Sequence, residues 1–180
     1  AIQQEALRLF LSKGYEDTTV EEIAAAVGIS HMTFFRYFPR KEDVVLADEY
    51  DPLIFELIVA RPPHEPACCK IWRALREGLA RVYATERDTL LVRTRLILRT
   101  PALRARLWEQ QAATANLFAR ALARGHGEPD LRTRVVASAC LAAATTAVAM
   151  WAERGGVDEL PDLIDQAYGA LRSELCVTDG

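Results

Sequence analysis

Hydrophobic positions recur at helical spacing through nearly the whole chain. At its start the apolar residues are Ile2, Ala6, Leu7, Leu9, Phe10 and Leu11, and Gly14 is placed to end the helix that their spacing predicts. No stretch alternates apolar and polar residues as a half-buried strand does, and no hairpin-turn sequence joins two such stretches. Good helix formers, Ala, Leu, Arg and Glu, dominate instead. The predicted fold class is therefore all-α.

The strongest local signals lie in residues 18–41, which read TTVEEIAAAVGISHMTFFRYFPRK. Thr19 is a good N-cap, and Glu22 three residues later completes a capping box. This pair predicts a helix that begins at Val20 and carries an apolar stripe on one side.

A second short helix is predicted directly after the first. Gly28 suits the left-handed end of the first helix, and Ser30 can cap a helix over about residues 31–37, which Pro39 then stops. Two short helices joined by a turn of three or four residues form a helix-turn-helix. The second helix of that motif normally enters the DNA major groove with its first residues against base edges.

Aromatic residues in the second helix have two interpretations. They can complete a small core with the helix before them, or they can form a wedge that inserts between bases. Spacing of i and i+4 favours the core, whose predicted members are Phe10, Val20, Ile23, Val27, Ile29, Phe34 and Phe38.

The remainder of the chain predicts further helices, about nine in total. A fourth helix over residues 41–60 is expected to kink at Asp51-Pro52, and residues 61–66, with three prolines, break the chain. The body helices are predicted over residues 67–85, 88–99, 101–124, 130–153 and 159–176. The helix over 130–153 is apolar on nearly all sides and is expected to be buried on all of them.

Charge is unfavourable for DNA binding except in one place. The chain has a formal charge of −3, and residues 1–50 carry five basic against nine acidic side chains, a net charge of −4. Residues 30–41, however, contain Arg36, Arg40 and Lys41 and no acid. The positive charge is therefore local to the proposed DNA-reading helix.

Enzyme, metal and membrane functions find no support in the sequence. His31, His64 and His126 have no Ser or Cys partner at a catalytic spacing, and no phosphate-binding or metal motif occurs, so neither catalysis nor a cofactor is expected.

The cysteines, Cys68, Cys69, Cys140 and Cys176, lack metal-ligand spacing and are interpreted as reduced thiols, with a redox-active Cys68-Cys69 pair as the alternative. The longest apolar run, residues 135–151, is too short and too rich in Ser and Thr to span a membrane. No signal peptide is found, so a cytoplasmic location is expected.

The helix-turn-helix segment resembles a known family. Its residues VGISHMTFFRYFPRKEDVV are similar to the recognition segment of the TetR family of bacterial transcription repressors: a polar cap, Thr33, two large apolar residues, Phe38, and Lys41-Glu42. The resemblance implies a three-helix DNA-binding head over residues 1–46 and a ligand-binding and dimerisation body over 47–180. Residues 41–60 would link the two. Phe35 stands where the family usually has a tyrosine that binds a phosphate.

Operator contacts follow from this placement. The start of the second helix brings His31, Met32 and Thr33 within reach of base edges, and Arg36 can contact guanine or phosphate. We assign Thr19, Tyr37 and Lys41 to phosphates, with helix capping and surface solvation as the alternative. A homodimer would bind a pseudo-palindromic operator in double-stranded DNA as a repressor.

The body is interpreted as a chamber for a small-molecule effector. Helices five to eight supply large apolar groups with few polar ones, as expected of such a pocket, although each residue taken singly is more often plain core. The predicted lining is Trp72, Leu75, Leu79, Tyr83, Arg95, Leu98, Trp108, Gln111, Thr114, Phe118, Thr145 and Trp151. Residues 91–151 resemble the C-terminal domain of the mycofactocin-regulator-like, acyl-CoA-responsive TetR branch. That resemblance implies a fatty acyl chain or its CoA thioester as effector, with Arg95 or Arg99 near the anionic part.

The last two helices are the dimerisation elements that the family resemblance implies. The expected interface residues are Ala139, Ala143, Thr146, Met150, Ile164, Tyr168, Leu171 and Leu175. Packing within one chain is the alternative for the same faces. A ligand-binding or carrier protein with a non-functional head is the alternative for the whole molecule, motivated by the acidic head and Phe35.

Overall fold

A computed structural model describes residues 2–47, 50–125 and 127–175, and over these ranges the regular structure is entirely α-helical, as predicted. The helices are α1 (Ile2–Lys13), α2 (Val20–Ala26), α3 (His31–Tyr37), α4 (Asp43–Leu46), α5 (Asp51–Val59), α6 (Ala67–Arg99), α7 (Pro101–Leu122), α8 (Leu131–Glu153) and α9 (Leu160–Leu175).

The described residues form two compact units. The first contains the chain up to residue 47 together with residues 95–108, which are the end of α6 and the start of α7. Its core joins the predicted aromatic and aliphatic residues of α1 to α3, such as Phe10, Ile23 and Phe34, to Ile97 and Leu103. The predicted domain boundary at residue 46 lies next to the end of the first segment of this unit. Residues 95–108 were predicted to belong to the body, but they lie in the first unit.

The second unit contains α5, most of α6 and α7, and the pair α8 and α9. Its core is built around Trp151, Phe118, Ile71 and Leu160, each at most 1% exposed. Gly78 of α6 lies where α5 passes closely, because a Cβ at this position would be 2.3 Å from Ile54 Cδ1. The second unit thus has its own core, as a ligand-binding body requires.

Two predicted helix boundaries are wrong. The helix expected over residues 41–60 is replaced by α4 and α5, and Pro52 lies in the first turn of α5 rather than at a kink. The first turn of a helix tolerates proline because its N–H groups have no intrahelical acceptor.

The helices expected over 67–85 and 88–99 are one 33-residue helix, α6. Its middle is polar, yet Glu86 and Arg87 are good helix formers, so nothing in the sequence breaks it.

Helix α8 is not buried on all sides, contrary to the prediction from its composition. Leu131 is 79% exposed, Val135 57% and Met150 38%, whereas Cys140, Ala147 and Trp151 on the other side are at most 3% exposed. By length and composition alone this helix could cross a membrane, since an 18-residue window of it has a mean hydropathy of 1.8. Its buried side packs along α9, where the Tyr168 hydroxyl donates to the Cys140 carbonyl oxygen over 2.9 Å. A core helix of a soluble protein has the same features.

Candidate DNA-binding and ligand-binding sites

Helix α2 is fixed at its start by the predicted capping box. The Glu22 backbone N–H donates to Thr19 Oγ1 over 3.2 Å, and the Thr19 N–H donates to Glu22 Oε2 over 3.0 Å. The Lys13 ammonium also contacts the Glu22 carboxylate, and this hydrogen bond, followed by the one from the Thr19 backbone, lowers the pKa of Glu22. Thr19 is exposed, so its assigned phosphate contact stays a prediction beside this capping role.

The turn between α2 and α3 has the expected geometry. Gly28 adopts a φ of +71°, a left-handed conformation that glycine enters without steric cost. The Ile29 N–H donates to the Ala24 carbonyl oxygen over 3.0 Å, and Ser30 Oγ accepts from the Thr33 N–H over 3.1 Å. These contacts fix the direction in which α3 leaves the turn.

Helix α3 has one buried and one exposed side. Phe34 is fully buried and Phe38 is partly buried against the same core, which confirms the core interpretation for these two residues. Met32 is 81% exposed and Tyr37 60%, and His31 and Arg36 are also exposed. Thr33 is half-buried, and its hydroxyl lies 2.9 Å from that of Ser30. The predicted base-reading side chains therefore lie on or beside the solvent side of the helix.

Lys41 lies in a different environment from the one predicted. It precedes α4, which begins at Asp43, and its ammonium donates to the Tyr15 carbonyl oxygen. The Nζ atom also lies 4.2 Å from the centre of the Tyr15 ring and 5.7 Å from that of Phe10. A carbonyl oxygen and two aromatic faces, rather than an anionic group, are the partners of this cation. Its phosphate contact remains a prediction.

Tyr15 and Asp43 connect the segment after α3 to the rest of the first unit. The Tyr15 hydroxyl donates to Glu42 Oε1 over 2.7 Å, and burial, followed by this hydrogen bond, raises the pKa of Tyr15. Asp43 Oδ2 accepts from the Arg40 backbone N–H over 3.0 Å, and Asp43 Oδ1 accepts from Arg106 Nε over 3.2 Å. Sequence reasoning missed the last contact because it joins residues 63 positions apart.

Several predicted ligand-lining residues bond within the second unit. Trp72 Nε1 donates to Asp165 Oδ1 over 2.8 Å, and Trp151 Nε1 donates to the Asp158 carbonyl oxygen over 3.0 Å. The Tyr83 hydroxyl accepts from the Leu160 N–H over 3.2 Å. Trp151 is completely buried, and Phe118 is 1% exposed. For Trp151 and Phe118, plain core is the correct interpretation.

The polar members of the lining set also have internal partners. Thr114 Oγ1 donates to Asp51 Oδ2 over 3.2 Å, and Thr145 Oγ1 donates to the Ala142 carbonyl oxygen of its own helix. Gln111 is half-buried. These threonine hydroxyls therefore already use their hydrogen on protein acceptors.

The twelve predicted lining residues are divided between the two units. Arg95, Leu98 and Trp108 belong to the first unit, and Trp108 is 74% exposed. The other nine belong to the second unit, where Leu75 and Leu79 are partly buried against the main core.

Surface cavities in the described part of the second unit involve few of the predicted residues. A cavity of about 390 Å³ is lined by Trp72 together with Arg61, Arg73, Arg76, Glu77, Ala80 and Pro161. The guanidinium groups on its wall are paired: Arg73 lies 2.9 Å from Glu65 Oε1 and Arg76 lies 3.3 Å from Asp165 Oδ1. A smaller cavity is lined by Tyr83 with Tyr50, Val82, Glu86, Thr89, Leu90 and Arg93. These cavities bring aromatic and cationic groups together, in an arrangement that sequence spacing did not predict.

The predicted dimer residues fall into two groups. Ile164 and Tyr168 are 4% and 2% exposed and pack inside the chain, so their assignment to a dimer interface is corrected to intramolecular packing. Thr146 and Met150 are exposed, whereas Ala139, Ala143 and Leu171 are partly buried. The side chain of Leu175 lies outside the described part of the structure.

The cysteines behave as ordinary thiols in the described residues. Cys69 and Cys140 are free thiols, and burial, followed by the neighbouring Cys68 thiol, raises the pKa of Cys140. Cys176 and His126 lie outside the described residues. The described residues contain no group of three or more His, Cys, Asp or Glu that could hold a metal ion.

A capped helix-turn-helix with an exposed recognition face, joined to a helical body, defines a DNA-binding transcriptional regulator. Residues 2–47 match the sequence profile of bacterial regulatory proteins of the TetR family, and residues 65–176 match that of the MftR C-terminal domain. The chain therefore belongs to the TetR family, with an MftR-type body.

Individual relatives agree with this assignment. TcmR, an HTH-type transcriptional regulator of Streptomyces glaucescens, is 33% identical over 96% of this chain and 81% of its own length. MftR of Mycobacterium tuberculosis, a putative mycofactocin biosynthesis transcriptional regulator, is 28% identical over 83% of this chain and 77% of its own length. The crystal structure of FadR from Thermus thermophilus, a TetR family repressor in complex with lauroyl-CoA, is 25% identical. It has a TM-score of 0.56 and covers 99% of this chain and 95% of that one.

Proposed function

We propose that the chain is a homodimeric repressor that binds a pseudo-palindromic operator and leaves it when a small amphipathic ligand binds the body. The observation that carries the proposal is the two-sided character of α3. Phe34 anchors the helix in the core, while His31, Met32, Arg36 and Tyr37 are exposed on it. In a dimer, two such helices about one DNA turn (~34–36 Å) apart would enter successive major grooves. A protein with this task works in the cytoplasm, where its DNA is.

The charge of the head predicts how tightly one copy binds. Residues 30–41 carry three cations, but the acidic side chains elsewhere in residues 1–50 give a net charge of −4. Few phosphates are therefore neutralised per head, and binding should be modest with a shallow dependence on salt. Two heads on one site are needed for tight binding.

Dimerisation is supported by the solvent sides of α8 and α9. Helix α8 exposes Leu131, Val135, Thr146 and Met150 while its opposite side packs on α9. Helix α9 exposes the small residues Gly169, Ala170 and Ser173. Small side chains let helices of two copies approach closely, and the apolar residues supply the area that a stable dimer buries.

The proposed effector is a fatty acyl-CoA or a molecule of similar shape and charge. The FadR structure with lauroyl-CoA supports this class, because that protein is similar to this chain along nearly its whole length. Leu75 and Leu79, half-buried on α6, could meet an acyl chain, and the arginines near Trp72 could meet the anionic part. A difference in ligand affinity between the two states equivalent to about 1–3 kcal/mol is enough for graded release of DNA.

Selection from a random pool of duplex DNA, followed by footprinting of the selected site, tests the regulator function. We expect a protected site with two-fold symmetry that binds more weakly to Tyr37→Phe, which removes only a hydroxyl, and to Lys41→Met. Lys70→Met in the second unit is the matched control and should bind as the wild type does. DNA binding that does not depend on base sequence and is lost at high salt would contradict the proposal and favour the carrier alternative.

Native mass spectrometry and thermal unfolding with added ligand test the effector class. Lauroyl-CoA at about 100 times its Kd should stabilise the protein by about 2.7 kcal/mol, which for a chain of this size raises Tm by about 5–10 °C. Free CoA and laurate are the controls, and each should shift Tm less than the thioester does. An equal shift with CoA alone would contradict an acyl-binding pocket.

A further inference from the structure

The end of α6 and the start of α7 change the charge of the unit that contains the helix-turn-helix. Residues 1–47 carry five basic and seven acidic side chains, a net charge of −2, whereas residues 95–108 carry four arginines and no acid. These two segments make up the first unit, which therefore has a formal charge of +2. Since the whole chain has a charge of −3, the remaining residues carry −5. Positive charge is thus concentrated in the unit that carries the recognition helix.

Residues 95–108, here called the arginine segment, are anchored in the core of the first unit. Leu103 is fully buried in that core. Arg106 Nε lies 3.2 Å from Oδ1 of Asp43, and Oδ2 of Asp43 accepts from the backbone N–H of Arg40 over 3.0 Å. The arginine segment is therefore held against the chain that directly follows the recognition helix.

Three arginines of this segment have no partner within the described protein. The guanidinium groups of Arg95, Arg99 and Arg104 make no hydrogen bond and no ion pair with any described residue, and Arg99 and Arg104 are exposed. Arg99 suits the C-terminal end of α6, where the helix dipole favours a cation. It lies one turn from Arg95, however, where like charges repel each other, and Arg104 lies near the start of α7, where the dipole disfavours a cation. An anion from outside the chain would offset both unfavourable effects.

The position of these three arginines favours DNA over an effector as that anion. They belong to the same unit as the recognition helix, and neither of the surface cavities described above is lined by any of them. Duplex DNA carries one phosphate charge for about each 1.7 Å of its axis, so a protein surface close to a recognition helix lies near several phosphates. A guanidinium group binds a phosphate through two parallel N–H groups.

We propose that Arg95, Arg99 and Arg104 form a second DNA-contacting surface, which binds backbone phosphates outside the major-groove contacts of α3. This inference rests on the proposed DNA binding and adds a source of affinity that residues 1–50 lack. Because phosphates are the same in every sequence, this surface strengthens binding without selecting bases. It also makes the salt dependence of binding steeper than residues 30–41 alone would make it.

Titration of the selected operator at several salt concentrations tests the inference. Arg95→Gln, Arg99→Gln and Arg104→Gln each remove two guanidinium groups from a dimer. The plot of log K against log salt concentration should therefore lose about 2 in slope for each variant. At ~0.1 M salt each variant should bind about tenfold more weakly, by the same factor on the operator and on unrelated duplex DNA. Arg99→Lys keeps the charge and should restore most of the affinity and slope.

The matched control is Arg120→Gln in the second unit, where an exposed arginine likewise has no partner among the described residues. It should keep the affinity and the slope of the wild type. Thermal unfolding of every variant, with and without lauroyl-CoA, separates a loss of fold or of effector binding from a loss of DNA contact.

Two results would overturn the inference. One is a slope in all three arginine variants equal to that of Arg120→Gln. The other is a loss of the lauroyl-CoA shift with unchanged DNA binding, which would place these arginines at the effector. If the wild type selects no two-fold site, the proposed function fails, and the slopes on unrelated duplex DNA still decide whether the arginines bind phosphates.

Discussion

At the scale of single residues, Thr19 shows how a local rule becomes a stability prediction. Its side chain accepts the Glu22 N–H, and its own N–H is accepted by Glu22 Oε2. Thr19→Ala removes the capping oxygen and should lower the free energy of unfolding by about 1 kcal/mol. Thr19→Ser keeps a hydroxyl and should stay close to the wild type. Urea unfolding of both variants checks this, and equal stability of the two would show that the cap does not matter.

Three buried groups give the protein a second measurable property, a loss of stability in alkali. Burial is the largest of the causes that raise the pKa values of Tyr15, Tyr168 and Cys140 in the folded chain. The unfolded chain therefore loses protons at lower pH than the folded chain does, and the stability these groups contribute is lost as pH rises. The loss should begin near pH 8.5 for the thiol and steepen near pH 10 for the tyrosines. Each group adds a slope of about 1.4 kcal/mol per pH unit.

Urea unfolding at a series of pH values measures this slope. Tyr168→Phe should reduce the slope above pH 10 by the share of one group, and Tyr15→Phe should do the same. Tyr37→Phe, which changes an exposed phenol, is the control and should leave the slope unaltered. Identical slopes in wild type, Tyr15→Phe and Tyr168→Phe would exclude these tyrosines as the cause.

Residues whose partners lie within one or two helical turns were the ones that sequence could place. Thr19, Gly28 and Ser30 were predicted correctly because capping and turn geometry depend on neighbours three or four positions away. The environment of Lys41 was not foreseen, since its partner Tyr15 is 26 positions away. The same reason hid the contact of Glu21 with His31, which only the turn between two helices brings together.

At the scale of elements, the continuity of α6 is the clearest difference between prediction and structure. Residues 86–87 were interpreted as a break, but they continue the helix, and the Tyr50 hydroxyl and the Gly156 carbonyl oxygen bond to Glu86 and Arg87. Polar residues in the middle of a long helix thus have partners on other elements. A pattern of apolar positions cannot reveal such partners, so it divided one helix into two.

Proline substitution at Asp88 distinguishes one helix from two. In a continuous helix Asp88→Pro removes a backbone hydrogen bond and clashes with the preceding turn, which should cost about 3 kcal/mol or more. At a break between two helices it would cost little. Asp88→Ala is the matched control and should be close to neutral, because the side chain is 95% exposed. Urea unfolding gives both values, and a tolerated proline would restore the two-helix interpretation.

At the scale of the whole molecule, the composition of α8 predicted burial on all sides, but one chain alone leaves a side of it exposed. Leu131 and Val135 are more than half exposed on a helix that is otherwise rich in Ala. An apolar exposed stripe on a core helix is a mark of an interface. The sequence thus predicted the hydrophobicity of this helix correctly, but could not divide it between the side that is buried inside the chain and the exposed side that we propose as a dimer interface. For the same reason Ile164 and Tyr168 were assigned to the wrong side of α9.

Gly169 offers a test of the proposed dimer that a change in folding cannot imitate. It lies within α9, is exposed, and has no atom within 4 Å of the position a Cβ would take. In a single chain, replacing it with a better helix former should stabilise α9 by up to about 1 kcal/mol. Against a second copy, a long charged side chain would instead be forced into a closely packed interface.

The Gly169→Glu protein should therefore remain folded, but native mass spectrometry should give the 20.1 kDa mass of one chain instead of twice that mass. It should also lose tight operator binding, whereas Gly169→Ala should keep both. A Gly169→Glu protein that stays dimeric would place the interface elsewhere.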